Sequence, residues 1–122
     1  MTLGERFVRA VAAKDRDELR QVLAGDVDFK GLTPRRFWEG ASAEEVIEVL
    51  LGSWFEPEDV VEEVAAVEQG DDIEDVKRVG YRFRLVTPSG PHVVEQQAYY
   101  RESGDRMGYL RVVCSGFQPT SS

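Results

Sequence analysis

The chain has a single histidine, His92, and a single cysteine, Cys114. Nucleophilic catalysis by Ser-His-Asp or Cys-His needs the imidazole within hydrogen-bond reach of the nucleophile. His92 falls beside the turn Pro88-Ser89-Gly90-Pro91, on a different strand from Cys114, and nothing near the thiol in sequence would activate it. Cys114 therefore reads as a small buried hydrophobe. Among the acids, Asp26 and Asp28 stand close together before the middle of the chain. Asp28 is the candidate catalytic residue, a base for proton abstraction. Its place between Val27 and Phe29 also fits a carboxylate turned away from its apolar flanks, and Glu39 is the other candidate for a pocket acid. The acidic stretch Gly70-Asp71-Asp72 with Glu74 and Asp75 lacks the ligand alternation and closing Glu of a calcium loop. No Cys/His cluster suits zinc and no glycine loop follows a strand to cradle phosphate, so neither a metal nor a nucleotide cofactor is expected.

The elements that would position such groups follow from periodicity. Phe7, Val8 and Val11 recur at helical spacing within Leu3–Ala13, and Leu19, Val22 and Leu23 do so within Arg16–Ala24. Asp15 caps the second helix and Gly25 is expected to end it. A short extended piece, Val27–Phe29, follows. Ser42 and Glu45 make a capping box for a third helix carrying Val46, Val49 and Leu50. Beyond Pro57 the period becomes two. Asp59–Glu68, Val79–Thr87, Val93–Arg101 and Met107–Phe117 read as a four-stranded antiparallel meander. Gly80 and Gly108 are the expected bulges that bend it.

The turns suggest a register. With Thr87 opposite His92, Phe83 meets Gln96 and Arg84 meets Glu95; with Arg101 opposite Met107, Gln96 meets Val112. One face then carries Tyr81, Phe83, Leu85, Val94, Gln96, Ala98, Tyr100, Leu110, Val112 and Cys114. The other carries Arg82, Arg84, Glu95, Gln97, Tyr99, Tyr109 and Arg111. A slip of one residue would exchange the faces. The dry face should be concave and packed on the helices, with Gln96 its one strongly polar member. The wet face mixes Tyr and Arg with both charge signs, which suits a homodimer contact about a two-fold axis.

A chain of 122 residues with 42% hydrophobic content fits one domain. Residues 1–118 are expected to form it, with a disordered tail at 119–122. The net charge is −8, and Glu56 to Asp75 holds ten acids without a basic residue. That balance argues against nucleic-acid binding. No apolar run is long enough to span a membrane, and the N-terminus makes a poor signal peptide, so a cytoplasmic protein is expected.

The order of elements resembles the NTF2-like superfamily, which includes SnoaL-like cyclases and ketosteroid isomerases. The resemblance rests on Phe7-Val8-Arg9-Ala10-Val11-Ala12-Ala13-Lys14-Asp15, on Leu23-Ala24-Gly25-Asp26-Val27, and on the final hairpin from Glu95-Gln96-Gln97-Ala98-Tyr99-Tyr100 to Leu110-Arg111-Val112-Val113-Cys114-Ser115-Gly116-Phe117. It implies an α+β cone: N-terminal helices in the concave face of a curved, mostly antiparallel sheet. It also implies a dimer through the outer sheet face. Carried onto this chain, the isomerase tyrosine falls on Phe7 and the base near Gly31, so catalysis of that kind is not expected. The preferred reading is binding of a small apolar molecule in a cavity lined by Trp38, Trp54, Tyr81, Phe83, Gln96 and Tyr100. Two alternatives stand beside it. One is a SnoaL-like cyclase, isomerase or hydratase with Asp28 as base and Tyr81, Tyr100 or Gln96 as donor. The other is a dimerising module whose cavity its own side chains fill.

Overall fold

The computed structural model describes residues 1–120. Among them the order is α1 (Leu3–Ala13), α2 (Arg16–Val22), β1 (Leu23–Thr33), β2 (Arg36–Gly40) and α3 (Ala43–Glu48), which continues as a π-helical segment over Val49–Trp54. Then come β3 (Val60–Gln69), β4 (Lys77–Thr87), β5 (Gly90–Ser103), β6 (Arg106–Cys114) and the short β7 (Gln118–Pro119). The strands form one curved sheet in the order β2-β1-β6-β5-β4-β3, with β7 added along β5. All pairings are antiparallel except β1 with β6. The architecture is the expected α+β cone.

Each helix start has a local cause. Thr2 Oγ1 accepts from the Glu5 N–H while Glu5 Oε1 accepts from the Thr2 N–H, a reciprocal capping box. Asp15 accepts from the Glu18 N–H and Ser42 from the Glu45 N–H. The second helix stops at Val22, and Gly25 lies inside β1 rather than at a helix end. The apolar run Leu23-Ala24 enters the sheet directly because Leu23 pairs with Met107 and is fully buried. Local turn chemistry yields here to strand pairing.

β1 is much longer than the expected Val27–Phe29. After an irregularity between Leu23 and Asp28 it alternates strictly, with Val27, Phe29 and Gly31 inside and Asp28, Lys30 and Leu32 outside. Parallel pairing with β6 could not be read from adjacent turns, because its partner lies some eighty residues on. The meander register differs from the expected one by two residues. Thr87 faces Gly90, so Tyr81 meets Gln96 and Arg82 meets Glu95. Arg101 faces Tyr109, so Gln96 meets Cys114 and Ala98 meets Val112. The turns are tighter than the sequence suggested. A shift of two preserves the side-chain faces, so the inner and outer sets stand. Gly108 marks a bulge, between the Arg101–Tyr109 and Glu102–Met107 pairs. Gly80 does not; it pairs regularly with Gln97, whose amide lies where a Gly80 Cβ would sit. The other bulges fall within the pairing of β3 to β4. Pro119, expected in a disordered tail, pairs with His92 in β7; Ser121 and Ser122 of that tail lie outside the described residues.

Helices α1 to α3 cover the concave face. Phe7, Val8, Val11, Leu19, Val46, Ile47 and Leu50 pack against Phe83, Leu85, Val94, Ala98, Leu110 and Val112, all essentially fully buried. The start of α1 is tied to the sheet by Tyr100, whose hydroxyl accepts from the Gly4 N–H at 3.1 Å and from Gln69 Nε2 at 3.2 Å. Its end is tied by the Lys14 ammonium, which donates to the carbonyl oxygens of Glu56 and Asp59. Replacing Tyr100 by Phe leaves the buried Gly4 N–H without that partner. Urea denaturation should show a loss of about 1–3 kcal/mol with the m-value unchanged.

Candidate functional site

Gly31 is on the inner face of β1, opposite Trp38 of β2. The edge of the Trp54 ring fills the place of its missing side chain: a Cβ there would stand 2.7 Å from Trp54 Cη2 and 2.8 Å from Cζ2. Trp54 reaches that position from the π-helical segment and meets Trp38 edge to face, with ring centroids 6.1 Å apart, and Phe29 at 5.9 Å. The two tryptophans meet at one end of the cone.

A cleft of about 520 Å³ opens there, lined by Trp38, Trp54, Asp59, His92, Cys114 and Phe117 among others. The remaining wall is Thr33, Ser53, Glu56, Thr87, Pro88, Ser89 and Gly116. The site is thus assembled from the β1–β2 hairpin, the end of the π-helical segment, the loop before β3, the β4–β5 turn and the chain after β6.

Tyr81 and Phe83 are buried below this cleft rather than on its wall. Tyr81 stacks on Phe83 with centroids 5.2 Å apart and meets Phe7 at 6.4 Å. Phe55 bridges Phe83 and Phe117, at 5.6 Å from each. Aromatic rings therefore fill the deep part of the cone. Tyr100 belongs to the other end of the sheet, at the start of α1, and is separate from the cleft. Asp28 is exposed on the outer face and pairs with Arg111 at 3.3 Å. The alternation of β1 sends it away from the interior. Glu39 is likewise exposed, on β2.

Two buried donors have no hydrogen-bond partner among the described residues: Trp54 Nε1 and Gln96 Nε2. Trp38 differs, since its Nε1 donates to Thr33 Oγ1 at 2.8 Å. The Gln96 amide is fixed by its oxygen, which accepts from the Tyr81 hydroxyl at 2.6 Å. That bond orients Nε2 as a free donor. Gln96 pairs across β5–β6 with Cys114, a cleft residue, but is itself buried and is not part of the cleft wall. Burial raises the Tyr81 phenol far above its ordinary range, with a smaller contribution from Cys114. The hydroxyl keeps its proton and remains a donor. Burial also raises the Tyr100 phenol.

Asp59 and His92 are cleft residues that sequence reasoning did not select. Asp59 is only 7% exposed, and one of its carboxylate oxygens accepts from the Glu56 N–H at 3.1 Å. It lies in the acidic run Glu56 to Asp75, at the start of the strand expected over Asp59–Glu68. His92 Nδ1 is 2.8 Å from the Gly90 carbonyl oxygen, so Nδ1 carries the proton and Nε2 holds the lone pair in the neutral ring. Cys114 Sγ accepts from the Gly116 N–H at 3.3 Å, and no hydrogen bond joins it to His92 among the described residues. A Cys-His nucleophile is not assembled.

Neither a family model nor a curated protein sequence matches the chain. Solved structures do, at low identity. An LEH-like epoxide hydrolase from M. tuberculosis is 13% identical, with TM-score 0.68 over 93% of this chain and 80% of that one. A protein with a ketosteroid isomerase-like fold from Catenulispora acidiphila, in complex with trimethylamine, is 12% identical, with TM-score 0.70 over 95% and 88%. A member of the SnoaL-like family from Agrobacterium tumefaciens is 12% identical, with TM-score 0.61 over 93% and 95%. The class of protein is therefore defined by fold alone: this chain has the α+β cone fold of these SnoaL-like and ketosteroid isomerase-like structures. No helix among the described residues is long and apolar enough to cross a membrane.

The Tyr81–Gln96 pair has a signature in stability. Tyr81→Phe alone strands the Gln96 oxygen and should cost about 1–3 kcal/mol. The double variant Tyr81→Phe, Gln96→Leu removes both the hydroxyl and the unpaired amide. It should recover most of that loss or exceed the wild type in chemical denaturation, because an apolar pair of similar shape leaves nothing unsatisfied.

Proposed function

We propose that the cleft at the open end of the cone binds a small, largely apolar molecule that presents a hydrogen-bond acceptor to Trp54 and Gln96. The observation that carries this reading is the pair of buried, unpartnered donors, Trp54 Nε1 and Gln96 Nε2. Leaving a buried donor unsatisfied costs about 1–3 kcal/mol, so two of them at one end of a packed cone mark a place built for an acceptor. The volume and aromatic wall suit a ligand of modest size. Of the residues expected to line the site, Trp38 and Trp54 support this reading from the cleft wall; Gln96 is outside that wall and supports it through the buried amide that Tyr81 orients. Phe83 supports the floor and Tyr100 has a structural role at the far end. The open cleft at the mouth supports binding, whereas the rings that fill the cone below it support the alternative of a dimerising module whose cavity its own side chains fill.

Differential scanning fluorimetry with apolar ketones and esters should raise the melting temperature of the wild type. At a hundredfold excess over Kd the gain corresponds to about 2.7 kcal/mol. Gln96→Leu in the Tyr81→Phe background should abolish most of the shift while leaving a cooperative transition. Equal shifts in both proteins would count against the site.

A homodimer through the outer sheet face is the partner reading we infer. Leu32, Phe37 and Val113 are cross-strand neighbours there, and each is about half exposed. Tyr99, Tyr109, Arg82, Arg84, Glu95, Gln97 and Arg111 lie on the same face, on β4, β5 and β6. Tyr109 is held between the Arg101 and Arg111 guanidiniums, at 4.4 and 4.0 Å. The Arg82–Glu95 pair at 2.7 Å shows both signs side by side. An apolar patch toward the β2 edge beside a mixed-charge surface can complement a second copy of itself about a two-fold axis. Sedimentation velocity should find a dimer for the wild type, and Val113→Lys should weaken association by about tenfold or more.

A further inference from the structure

The cleft carries one sign of charge. Glu56 and Asp59 both line it, and no lysine or arginine does. Neither carboxylate is in an ion pair among the described residues. Two cations lie beside the cleft, and neither pairs with these carboxylates among the described residues. Lys14 is held by the backbone carbonyls of Glu56 and Asp59, and the Arg36 guanidinium lies 3.6 Å from the Trp38 ring centroid. Asp59 is the more telling of the two acids. It is nine-tenths buried, yet its carboxylate has one N–H partner, from Glu56, and its other oxygen has none among the described residues. That oxygen is not closed off from solvent, so it is open to a ligand cation entering the cleft.

A second observation independent of the acids points to a ligand in the same place. Trp54 lines the cleft, is only 7% exposed, and has an unpartnered Nε1. The aromatic rings of Trp38, Trp54 and Phe117 complete a wall that suits an organic cation, since ring faces attract ammonium groups. An anionic ligand would meet two like charges there.

We propose that the cleft takes organic ammonium compounds: molecules whose apolar body and acceptor lie toward Trp54 and Gln96 and whose ammonium group faces Asp59 and Glu56. This rests on the reading of the cleft as a ligand site and adds the charge of its occupant.

A matched series separates the two. Butyrophenone supplies the apolar body and carbonyl alone; 3-benzoylpropionate adds a carboxylate; the trimethylammonium derivative C6H5CO(CH2)3N(CH3)3⁺ adds a quaternary cation. Titration calorimetry on the full chain should give the ammonium ketone an affinity about tenfold or more above butyrophenone, with the carboxylate weakest. The advantage should shrink in Asp59→Asn, whose amide oxygen still accepts from Glu56 N–H, and in Glu56→Gln, an exposed change that keeps the test open if the first variant does not fold. Glu102→Gln, on the far side of the molecule, should leave it unchanged, which separates the cleft carboxylates from the overall charge of −8. Equal affinities for the ketone and the ammonium ketone, or tighter binding of the carboxylate, overturn the ammonium proposal and leave the cleft reading standing. An ammonium advantage untouched by both cleft variants also overturns it. No binding by any of the three overturns both.

Discussion

The concave face of the sheet must be kept dry, and everything else in the molecule is arranged around that constraint. Tyr81, Phe83, Leu85, Val94, Ala98, Leu110 and Val112 present a continuous apolar surface that no neighbouring strand can cover. Three short helices cover it. Phe7 reaches one part of that surface through Tyr81, and Phe55 reaches another through Phe83. Burial of this kind contributes about 25 cal/mol for each Å² of apolar area removed from water, far more than the surface ion pairs can. The helices are anchored by polar contacts at their ends: Tyr100 on the Gly4 N–H, and Lys14 on the loop that precedes β3.

The helices end before the sheet does, and the site lies where their cover stops. There the packing changes character. Below, rings meet rings with no polar atom among them except the Tyr81–Gln96 pair. Above, Trp38 and Trp54 flank an opening with carboxylates, hydroxyls and an imidazole around it. Gly31 decides how Trp54 sits. Any side chain there would collide with the indole, so the residue that resemblance aligns with an isomerase base is the seat of a tryptophan. The other aligned position, Phe7, is buried against Tyr81. Both positions serve packing in this fold.

Much of the fold was legible because it depends on short-range pattern. The alternation of Tyr81, Phe83 and Leu85 with Arg82 and Arg84 defines two faces whatever the pairing. A register error of two residues left both faces intact, since the side-chain period of a strand is two. Gly108 was legible as a bulge and Gly80 was not, because the latter makes room for the Gln97 amide on the next strand, and cross-strand contact has no local signature. The parallel β1–β6 pairing escaped for the same reason. Of the candidate site, Trp38, Trp54 and Gln96 came from residue type and position. Asp59 and His92 were discounted because one sits in an acidic stretch and the other in a turn.

By itself, then, the sequence determined the helix caps, the strand faces, the presence of one buried amide on the dry face and the likeness to a cone. These follow from properties that a residue shares with neighbours a few positions away. Only the tertiary structure decided which polar groups share the cleft. Asp59 precedes β3, His92 opens β5, Trp54 ends the helical region and Cys114 ends β6; they meet because the sheet curves and the helices stop short of its edge. It also decided that Gln96 has a hydroxyl on its oxygen and nothing on its nitrogen, an asymmetry set by where Tyr81 stands across the β4–β5 ladder.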